Sequence, residues 1–307
     1  MMLREVIDAA EAALADAGVA SPRADAELLA AHAAGTDRGR LALTRPDAAF
    51  VDRYRGLVAR RAERVPLQHI IGSAAFGPVT VSVGPGVFIP RPETEALLEW
   101  AVAQLLLRER SLPLEFPAEI RAVRNVRPPV IVDLCTGSGA LALALAKTVP
   151  GARVIAVDDS EAALQYARRN LAGTDVELVR ADVTEPGLLP ELDGQVDLVV
   201  ANPPYIPEGA ALEPEVAEHD PAHALFGGPD GMTVIDAVVG LAGRWLRDGG
   251  RCAVEHDDTT SARTVDAFRR TGQFDAITAR RDLAGRPRFV TATRNRRQEG
   301  ASNGRAV

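Results

Sequence analysis

The sequence predicts an α/β protein in which a small helical domain precedes a domain built on a largely parallel sheet. Apolar, β-branched runs alternate with helix-forming runs from residue 129 to about residue 293, which is typical of a parallel sheet covered by helices. In residues 1–66, by contrast, apolar residues recur at helical spacing. The length of 307 residues also favours two domains.

The N-terminal domain, residues 1–66, is predicted to contain three helices. They span residues 3–17, 22–34 and, approximately, 47–63. Gly18 and Gly35 follow the first two helices at the position where a left-handed residue commonly ends a helix. Ser21 and Pro22 supply an N-cap and a first-turn proline for the second helix.

Residues 67–128 are predicted to form a β-hairpin, a helix and a linker. The strands of the hairpin are expected over His69–Ala75 and Val79–Val83, on either side of a Phe-Gly-Pro turn. A helix is expected from Pro92 to about Arg108, and a proline-rich connection follows over residues 110–128. We expect residues 294–307, which are polar and rich in Gly, Ser and Arg, to be disordered.

Polar residues lie at the carboxyl ends of four predicted strands. The strands are Val130–Leu134, Val154–Val157, Val176–Val179 and Val196–Val200. The polar residues are Asp133, Asp158, Asp182 and Asn202. In an open α/β sheet, ligands bind in the crevice outside the carboxyl ends of the strands. A single residue of this kind could be a helix cap or a solvated turn, but four in succession predict a cofactor site.

A glycine-containing loop connects the first of these strands to the helix-forming run Ala140–Lys147. The loop reads Cys135-Thr136-Gly137-Ser138-Gly139, and this arrangement lets a ligand approach the backbone and the helix N-terminus. It lacks the third glycine of a G-x-G-x-x-G fingerprint, since that position is Ala142, and it carries no basic residue for a pyrophosphate. The acidic surroundings favour S-adenosylmethionine, which has a ribose and an amino-acid tail, over a dinucleotide.

The tetrapeptide Asn202-Pro203-Pro204-Tyr205 follows the fourth strand. Its two prolines fix two φ angles and remove two amide donors, and the residue before a proline is held in an extended conformation. The side-chain oxygen of Asn202 and the backbone carbonyl of Pro203 therefore form a stiff pair of acceptors. Such a pair fits the two N–H groups of a planar amide or of an exocyclic base amine. The alternative is a proline-rich turn without a binding role.

Five segments carry a resemblance to a known family. They are Arg64–Gly72, I-P-R-P-E-T-E at Ile89–Glu95, Asp133–Gly139, N-P-P-Y-I at Asn202–Ile206 and A-L-F-G-G-P-D-G at Ala224–Gly231. Together they resemble the HemK/PrmC family, the protein-glutamine N5-methyltransferases of peptide chain release factors, over residues 5–293. The resemblance implies a class I S-adenosylmethionine-dependent methyltransferase with a Rossmann-like, mostly parallel seven-stranded sheet. Its antiparallel edge would be formed by Asp275–Arg280 and Arg288–Thr293.

The resemblance also implies a reaction and a set of site residues. The reaction is methyl transfer from S-adenosylmethionine to the glutamine amide of the Gly-Gly-Gln loop of release factors, with residues 1–66 recognising the substrate. The implied catalytic residues are Asn202 and Pro203. The implied cofactor-binding residues are Asp133, Cys135, Thr136, Gly137, Ser138, Gly139, Asp158, Asp182, Val183 and Asn202. The implied substrate-binding residues are Asn202, Pro203, Pro204, Tyr205, Phe88, Arg91 and Glu93. For Tyr205 the alternative is packing alone, and for Arg91 and Glu93 it is an interdomain ion pair.

Three positions depart from the family's pattern. Cys135 stands in place of the usual first loop glycine, and we expect it to be tolerated if its φ is negative. Val183 stands in place of the usual aromatic residue beside the adenine, which would weaken stacking. His256 and the two aspartates after it replace a Gly and a Gln, and we expect one structural contact to be left unmade there.

The amino-acid composition limits the classes of function that this protein can have. A net charge of −7 speaks against stable nucleic-acid binding, because that affinity depends mainly on Lys and Arg contacts to phosphate. There is no apolar run near 18 residues, and two cysteines provide no disulfide framework. We therefore expect a cytoplasmic protein without a membrane span, and we also expect a monomer. The histidines lack metal-ligand spacing, so no metal site is predicted.

Three alternative functions stay open at this point. The first is the sister activity on a ribosomal-protein glutamine. The second is an adenine-N6 DNA methyltransferase, which shares Asn-Pro-Pro-Tyr but would be expected to carry a basic target-recognition region and a base-flipping pocket. The third is a non-catalytic scaffold that binds S-adenosylmethionine, which Cys135 and His256 suggest.

Overall fold

The computed structural model describes residues 2–110 and 127–296. Most of the predicted linker, residues 111–126, and most of the predicted disordered tail, residues 297–307, lie outside the described residues. Within the described ranges, every helix is too short or too polar to serve as a transmembrane span.

The described residues form α-helices, short 3₁₀ turns and β-strands in the following order. The helices are α1 (Leu3–Asp16), α2 (Pro22–Ala34), α3 (Ala48–Ala62), α4 (Leu67–Ile71), α5 (Glu95–Arg110), α6 (Ala140–Thr148), α7 (Glu161–Asn170), α8 (Pro214–His219), α9 (Thr233–Trp245) and α10 (Ser261–Thr271). The strands are β1 (Ser73–Phe76), β2 (Val79–Ser82), β3 (Val130–Leu134), β4 (Arg153–Asp158), β5 (Glu177–Arg180), β6 (Val196–Ala201), β7 (Leu246–Glu255), β8 (Phe274–Arg281) and β9 (Pro287–Arg294). The 3₁₀ turns include Arg38–Leu43 and Pro92–Thr94.

The three predicted N-terminal helices are present, and Ser21 occupies the predicted N-cap position of α2. Asp47 caps α3, because its side chain accepts a hydrogen bond from the backbone N–H of Phe50 at 2.7 Å. Ser21 precedes Pro22 of α2 as predicted, yet its side chain makes no capping hydrogen bond. The reason lies in its backbone, whose φ of −129° and ψ of 59° depart from the extended conformation that aims an N-cap hydroxyl at the first turn.

The predicted β-hairpin begins later than expected. Residues Leu67–Ile71 form the short helix α4, so the prediction of a strand from His69 is wrong for its first residues. Pro66 precedes this turn of helix, and Gly72 ends it with a left-handed φ of 77°. His69 and Ile70 are both buried, which a helical turn achieves for adjacent residues and an exposed hairpin strand does not. The hairpin itself is β1 and β2.

The seven-stranded sheet has the predicted mostly parallel arrangement. Its strand order is β5-β4-β3-β6-β7-β9-β8, in which β5, β4, β3, β6 and β7 are parallel neighbours. Strand β9 is antiparallel to both β7 and β8, so the expected antiparallel edge is confirmed. Every residue of the central strands β3 and β6 is buried, as expected for a parallel sheet covered on both faces.

The strand order also creates a switch point. The chain runs outward from β3 to β4 and β5, and then returns to place β6 on the other side of β3. The connections that leave β3 and β6 therefore diverge to opposite sides, which opens a crevice at the carboxyl ends of these two strands. Both sequence motifs singled out above follow these strands.

The chain divides into two compact units that differ from the predicted domain boundaries. The first unit comprises residues up to Ala74, together with Ser82–Ile89 and Ala211–Pro221. The second comprises Ala75–Val81, Pro90–Ala210 and the described residues from Ala222 onward. Within the first unit, Glu215 accepts hydrogen bonds from Arg61 at 3.0 Å and Arg64 at 2.8 Å, and the buried Arg61 also pairs with Asp25 at 2.7 Å. These ion pairs link the Ala211–Pro221 segment to the helical part of that unit.

Candidate active site

Two loops begin side by side at the carboxyl edge of the sheet. Strands β3 and β6 are paired in register, with Leu134 opposite Ala201. The next residues along the chain are Cys135, which opens the glycine loop, and Asn202, which opens the Asn-Pro-Pro-Tyr loop. Both loops belong to the second unit. The sheet thus brings together the two motifs that sequence analysis assigned to cofactor and substrate.

Left-handed backbone shapes the glycine loop. Cys135, Gly137 and Gly139 have φ angles of 58°, 56° and 79°. A Cβ on Gly139 would lie 3.3 Å from the side chain of Leu171, so this glycine permits close packing of the loop on the region after α7. A Cβ on Gly137 would meet no atom within 4 Å. The backbone at Gly137 therefore borders open space that a ligand can occupy.

The conformation of Cys135 does not meet the condition under which we expected it to be tolerated. The expectation required a negative φ, but the φ of 58° lies in the left-handed region. A non-glycine residue in that region carries a cost on the order of 1 kcal/mol. Burial raises the pKa of its thiol well above the usual value, and the charges of Asp158, Asp133 and Asp182 raise it further. The thiol is therefore neutral and is not a nucleophile at neutral pH.

Two buried aspartates hold the glycine loop. Asp133 Oδ2 accepts hydrogen bonds from Thr136 Oγ1 at 2.5 Å and from the backbone N–H of Ala142 at 3.1 Å. Asp158 Oδ2 accepts from the backbone N–H of Gly137 at 2.8 Å. Burial raises the pKa of Asp133 to about 7 and also raises the pKa of Asp158, while the hydrogen bonds that each carboxylate accepts lower it.

These residues fit a ligand with hydroxyl and amino donors. Asp133 Oδ1 is buried and has no hydrogen-bonding partner among the described residues. Asp158 Oδ1 accepts from the backbone N–H of Ser160 at 3.0 Å, but a carboxylate offers about four lone-pair sites and retains further capacity. The open space at Gly137 lies on the same loop. A bound ribose and amino-acid tail would therefore find acceptors and exposed backbone here.

Sequence analysis missed one residue that supports this loop. Asn170, the last residue of α7, donates from Nδ2 to the backbone carbonyl of Ser138 at 2.8 Å. The contact links the loop to the end of α7. A polar residue at a helix end resembles an ordinary capping residue, so the sequence contains no signal that distinguishes it.

The two predicted adenine-side residues follow β5 and have different environments. Asp182 accepts hydrogen bonds from the backbone N–H and the hydroxyl of Thr184, at 2.8 and 2.7 Å, and so closes a local turn. Val183 is buried and packs in the hydrophobic core of the sheet. Asp182 is near enough to Cys135 to raise the pKa of its thiol. The adenine-binding roles of Asp182 and Val183 stay predictions.

The Asn-Pro-Pro-Tyr loop packs directly on the Ala224–Gly231 segment. Ile206 donates from its backbone N–H to Leu225 at 2.8 Å, and the backbone N–H of Gly227 donates to Ile206 at 2.9 Å. A Cβ on Gly227 would lie 2.4 Å from the backbone oxygen of Pro204. A Cβ on Gly231 would lie 2.2 Å from the backbone oxygen of Tyr205. Only glycine allows this close approach, which explains the glycines of the segment.

Hydrogen bonds hold two side chains of this loop, those of Asn202 and Tyr205. Asn202 Nδ2 donates to Thr94 Oγ1 at 3.2 Å, and the Tyr205 hydroxyl donates to Glu255 Oε1 at 3.2 Å. Among the described residues, no group donates to Asn202 Oδ1. The hydroxyl of Tyr205 is therefore anchored, and the amide oxygen of Asn202 remains available as an acceptor.

Glu255, the last residue of β7, is a site residue that sequence analysis did not single out. Its side chain is 1% exposed, and burial raises its pKa to about 7. The nearby hydroxyls of Thr94 and Tyr205 and the charge of Arg288 lower this pKa, whereas the charge of Glu93 raises it. Its position at the carboxyl end of a buried strand, as for Asp133 and Asp158, was the available signal.

Three of the predicted substrate-binding residues, at and beside the Ile89–Glu95 segment, are divided between the two units. Phe88 lies in the first unit, whereas Arg91 and Glu93 lie in the second, on either side of Pro92. Glu93 is exposed and close enough to Glu255 to raise its pKa. The substrate-binding roles of Phe88, Arg91 and Glu93 stay predictions.

His256, the third position that departs from the family's pattern, makes most of the hydrogen bonds available to it. The backbone N–H of His256 donates to the carbonyl of Arg288 at 2.9 Å, and its Nδ1 lies 2.8 Å from the carbonyl of Asp257. Asp258 pairs with Arg288 at 3.2 Å. The expected unmade contact is limited to His256 Nε2, which is buried and has no hydrogen-bonding partner among the described residues.

Comparisons with known proteins agree with this arrangement. The family model described as the PrmC N-terminal domain matches residues 5–72, and the model described as a methyltransferase domain matches residues 131–213. A release factor glutamine methyltransferase of Mycolicibacterium smegmatis is 67% identical over 293 residues, covering 95% of this chain and 98% of that protein. The chain belongs to the HemK/PrmC family of release factor glutamine methyltransferases.

Other members and a solved structure support the same assignment at different levels. A release factor glutamine methyltransferase of Mycobacterium tuberculosis is 65% identical, covering 96% of this chain and 92% of that protein. The crystal structure of a methyltransferase from Pyrococcus furiosus covers 77% of this chain and 99% of its own, with 17% identity and a TM-score of 0.50. That structure is similar in fold alone. The predicted family and the predicted class I methyltransferase fold are both confirmed.

Proposed function

We propose that this chain transfers a methyl group from S-adenosylmethionine to the side-chain amide nitrogen of the glutamine in the Gly-Gly-Gln loop of peptide chain release factors. The observation that carries the proposal is the position of Asn202. It directly follows β6 beside the glycine loop, and its amide nitrogen is engaged by Thr94, so its oxygen is the free acceptor. Membership of the family supports the same reaction.

The glycine loop and its neighbours are the residues we assign to the cofactor. S-adenosylmethionine, when bound, supplies an electrophilic methyl group attached to a sulfonium. The loop residues Cys135–Gly139 would line its methionine part, with Asp133 beneath them. Asp158 would accept hydrogen bonds from the ribose, and Asp182 and Val183 would border the adenine. The acceptors of Asp133 and Asp158 and the open space at Gly137 support this assignment.

The Asn-Pro-Pro-Tyr loop is the element we assign to the substrate nitrogen. An amide nitrogen is a poor nucleophile because its lone pair is delocalised into the carbonyl. Asn202 Oδ1 and the Pro203 carbonyl each accept one N–H of the glutamine, and this orients the nitrogen and stabilises the charge that develops on it. Orientation of this kind lowers a barrier by about 7–11 kcal/mol in well-ordered systems, and fixed dipoles contribute a few kcal/mol more.

The proposed reaction needs no titrating general base. An N-methylated, protonated amide is strongly acidic, so its proton leaves without assistance from a side chain. Glu255, a titratable residue next to the loop, is hydrogen-bonded to Tyr205 rather than to Asn202. The hydroxyl of Tyr205 is held by Glu255, and its ring would form one side of the pocket by packing against the planar amide.

We also propose how the enzyme recognises its substrate protein and where in the cell it acts. The N-terminal helical domain would recognise the release factor, and Phe88, Arg91 and Glu93 would take part in binding its glutamine. The enzyme would act as a cytoplasmic monomer without a stable nucleic-acid complex. The free thiols of Cys135 and Cys252 and the net charge of −7 support these expectations.

A transfer assay with matched substrates tests the proposal. The full chain is incubated with methyl-labelled S-adenosylmethionine and a purified bacterial release factor, and in parallel with the same release factor carrying alanine in place of the Gly-Gly-Gln glutamine. We expect label in the first protein and none in the second. Transfer to DNA or to a ribosomal protein instead of the release factor would contradict the proposal. Calorimetric binding of S-adenosylmethionine without transfer to any of these substrates would favour a scaffold.

A further inference from the structure

Glu255 is a buried carboxyl group without a direct ionic partner. It is 1% exposed, and within the described part of the chain no Arg or Lys lies at salt-bridge distance from it. The nearby Arg288 is engaged by Asp258 at 3.2 Å and by Asp282 at 3.4 Å. A buried acidic group that is not paired costs folding free energy. Its presence at the end of β7 therefore calls for a functional reason.

The position of Glu255 places it behind the substrate loop. Strands β6 and β7 are parallel neighbours, with Ala201 opposite Val254, so Asn202 and Glu255 follow at the same edge of the sheet. Tyr205 donates to Glu255 Oε1 at 3.2 Å, whereas Glu255 Oε2 is buried and has no hydrogen-bonding partner among the described residues. The hydroxyl of Thr94 is close enough to this carboxylate to lower its pKa. Thr94 is itself 4% exposed. The carboxylate thus accepts from one residue of the loop and lies near the residue that contacts Asn202.

The hydroxyl of Thr94 transmits an orientation to Asn202. A threonine hydroxyl has one proton, and when that proton is donated to Glu255, the oxygen can only accept. It accepts from Asn202 Nδ2 at 3.2 Å. The two ends of an amide side chain are nearly identical in shape, so without this contact the group could rotate by half a turn and present its NH₂ to the substrate NH₂. Two facing donors would repel the substrate amide rather than hold it.

We propose that Thr94 and Glu255 are positioning residues for methyl transfer, which set the side-chain amide of Asn202 so that its oxygen faces the substrate nitrogen. The inference rests on the proposed function, because it assigns these residues to the same site and to the same substrate nitrogen. Neither residue contacts the substrate in this account. Thr94 acts through Asn202, and Glu255 acts through Thr94 and Tyr205.

The test compares four variants by steady-state kinetics with a release factor as substrate. Thr94→Val removes the hydroxyl at nearly constant volume, and we expect kcat to fall about 100-fold, as for other small misplacements of a reacting group. Thr94→Ser keeps the hydroxyl, and we expect it to restore kcat to within about threefold of the parent. Glu255→Leu removes both acceptor oxygens at similar volume and should lower kcat in the same way as Thr94→Val. Thr148→Val, at the far end of α6, is the matched control, since its hydroxyl donates only to the carbonyl of Ala144.

A second readout separates positioning from a general structural role. Calorimetry should give the same affinity for S-adenosylmethionine in all four variants, and the KM for the release factor should change far less than kcat. In an Asn202→Ala background, Thr94→Val should lower kcat no further, because a residue that acts only through Asn202 has no effect once Asn202 is gone.

The outcomes distinguish this inference from the proposed function. If Asn202→Ala abolishes transfer but Thr94→Val leaves kcat unchanged, the positioning role is wrong and the proposed function stands. Additive losses from Thr94→Val and Asn202→Ala would also overturn the positioning role. If Asn202→Ala itself leaves transfer intact, the proposed function is the part that fails.

Discussion

The glycine loop and the Asn-Pro-Pro-Tyr loop follow adjacent strands, yet their shapes are maintained in different ways. The glycine loop is held by residues close to it in the sheet, through the carboxylates of Asp133 and Asp158. The Asn-Pro-Pro-Tyr loop is held in part by Glu255 of the neighbouring strand β7, but also by the glycines at 227 and 231 and by Thr94, which lies 108 residues earlier in the chain. A cofactor used in many folds can rely on a local motif, whereas orientation of one particular amide requires support from several parts of the chain.

The largest expected effect is a disruption of the non-local support of the substrate loop. Gly227→Ala would place a Cβ 2.4 Å from the Pro204 carbonyl oxygen, so the loop must shift. We expect methyl transfer to fall about 100-fold and the free energy of unfolding to fall by about 3 kcal/mol. The affinity for S-adenosylmethionine should stay the same, as measured by calorimetry.

Gly240→Ala is the control for this substitution. A Cβ on Gly240, in the interior of α9, would meet no atom within 4 Å. We expect full activity and a gain in stability of up to about 1 kcal/mol from helix propensity. If Gly227→Ala transferred methyl groups as fast as Gly240→Ala, the packing of Pro204 on Gly227 would have no part in shaping the site.

The second prediction concerns the pH dependence of stability that the buried Glu255 imposes. Its pKa rises from 4.5 in an unfolded chain to about 7 in the folded protein, chiefly through burial. The folded state therefore holds this proton more tightly, and the associated stability is present below about pH 4.5 and is lost as the pH rises through 7. Glu255→Gln should remove this loss. The free energy of unfolding of the variant, relative to that of the parent, should therefore rise by on the order of 3 kcal/mol between pH 4.5 and 8.

Denaturant unfolding at several pH values measures this difference. Asp133 has a pKa raised in the same direction, to about 7, but it is present in both proteins and cancels in the comparison. If the difference in free energy of unfolding between the parent and Glu255→Gln stayed constant from pH 4.5 to 8, Glu255 would not titrate in this range.

The third prediction tests the local support of the cofactor loop. Gly137→Ala introduces a Cβ at a φ of 56° into the open space that we assign to the cofactor. We expect the affinity for S-adenosylmethionine to fall about tenfold, which corresponds to about 1.4 kcal/mol. Gly151→Ala is the control, because its φ of 83° and its lack of neighbours within 4 Å impose the same strain in the turn before β4. Equal affinities in the two variants would argue against a cofactor at Gly137.

The smallest expected effect comes from Cys135. Its left-handed φ of 58° costs on the order of 1 kcal/mol for a residue with a side chain. Cys135→Gly should release that strain and raise the midpoint of thermal unfolding by a few degrees. Cys135→Ala removes the thiol but keeps the Cβ, so it should give no such gain. A stabilisation of equal size in both variants would assign the effect to the thiol rather than to the backbone.

The fold could be predicted from the sequence wherever local patterns decide it. The apolar runs of β3 and β6 and the helical spacing of the N-terminal region gave the correct elements, because burial imposes those periodicities. The segment from His69 to Ile71 could not be predicted as helical, since a single turn between Pro66 and Gly72 contains too few residues to show a period. Ser21 lies at the predicted N-cap position, but the absence of a capping hydrogen bond from its side chain could not be predicted, because that bond depends on backbone angles that a serine does not determine.

The candidate site was predictable to a similar extent. Asp133, Asp158 and Asn202 were identified because each lies at the end of a recognisable strand. Glu255 lies at the end of one too, but its contacts to Thr94 and Tyr205 bridge residues that are far apart in the chain. The sign of φ at Cys135 was likewise not accessible, because the sequence names a residue and not its backbone conformation.

The role of Asn202 is tested most directly by the single-turnover rate of methyl transfer in the Asn202→Ala variant, with enzyme saturated by S-adenosylmethionine and in excess over the release factor. The account predicts a rate lower by about 10²–10³-fold, the loss typical of removing one preorganised polar contact to a reacting group. Binding of the release factor should be nearly unchanged. A rate equal to that of the parent protein would contradict the claim that this side chain holds and orients the glutamine amide.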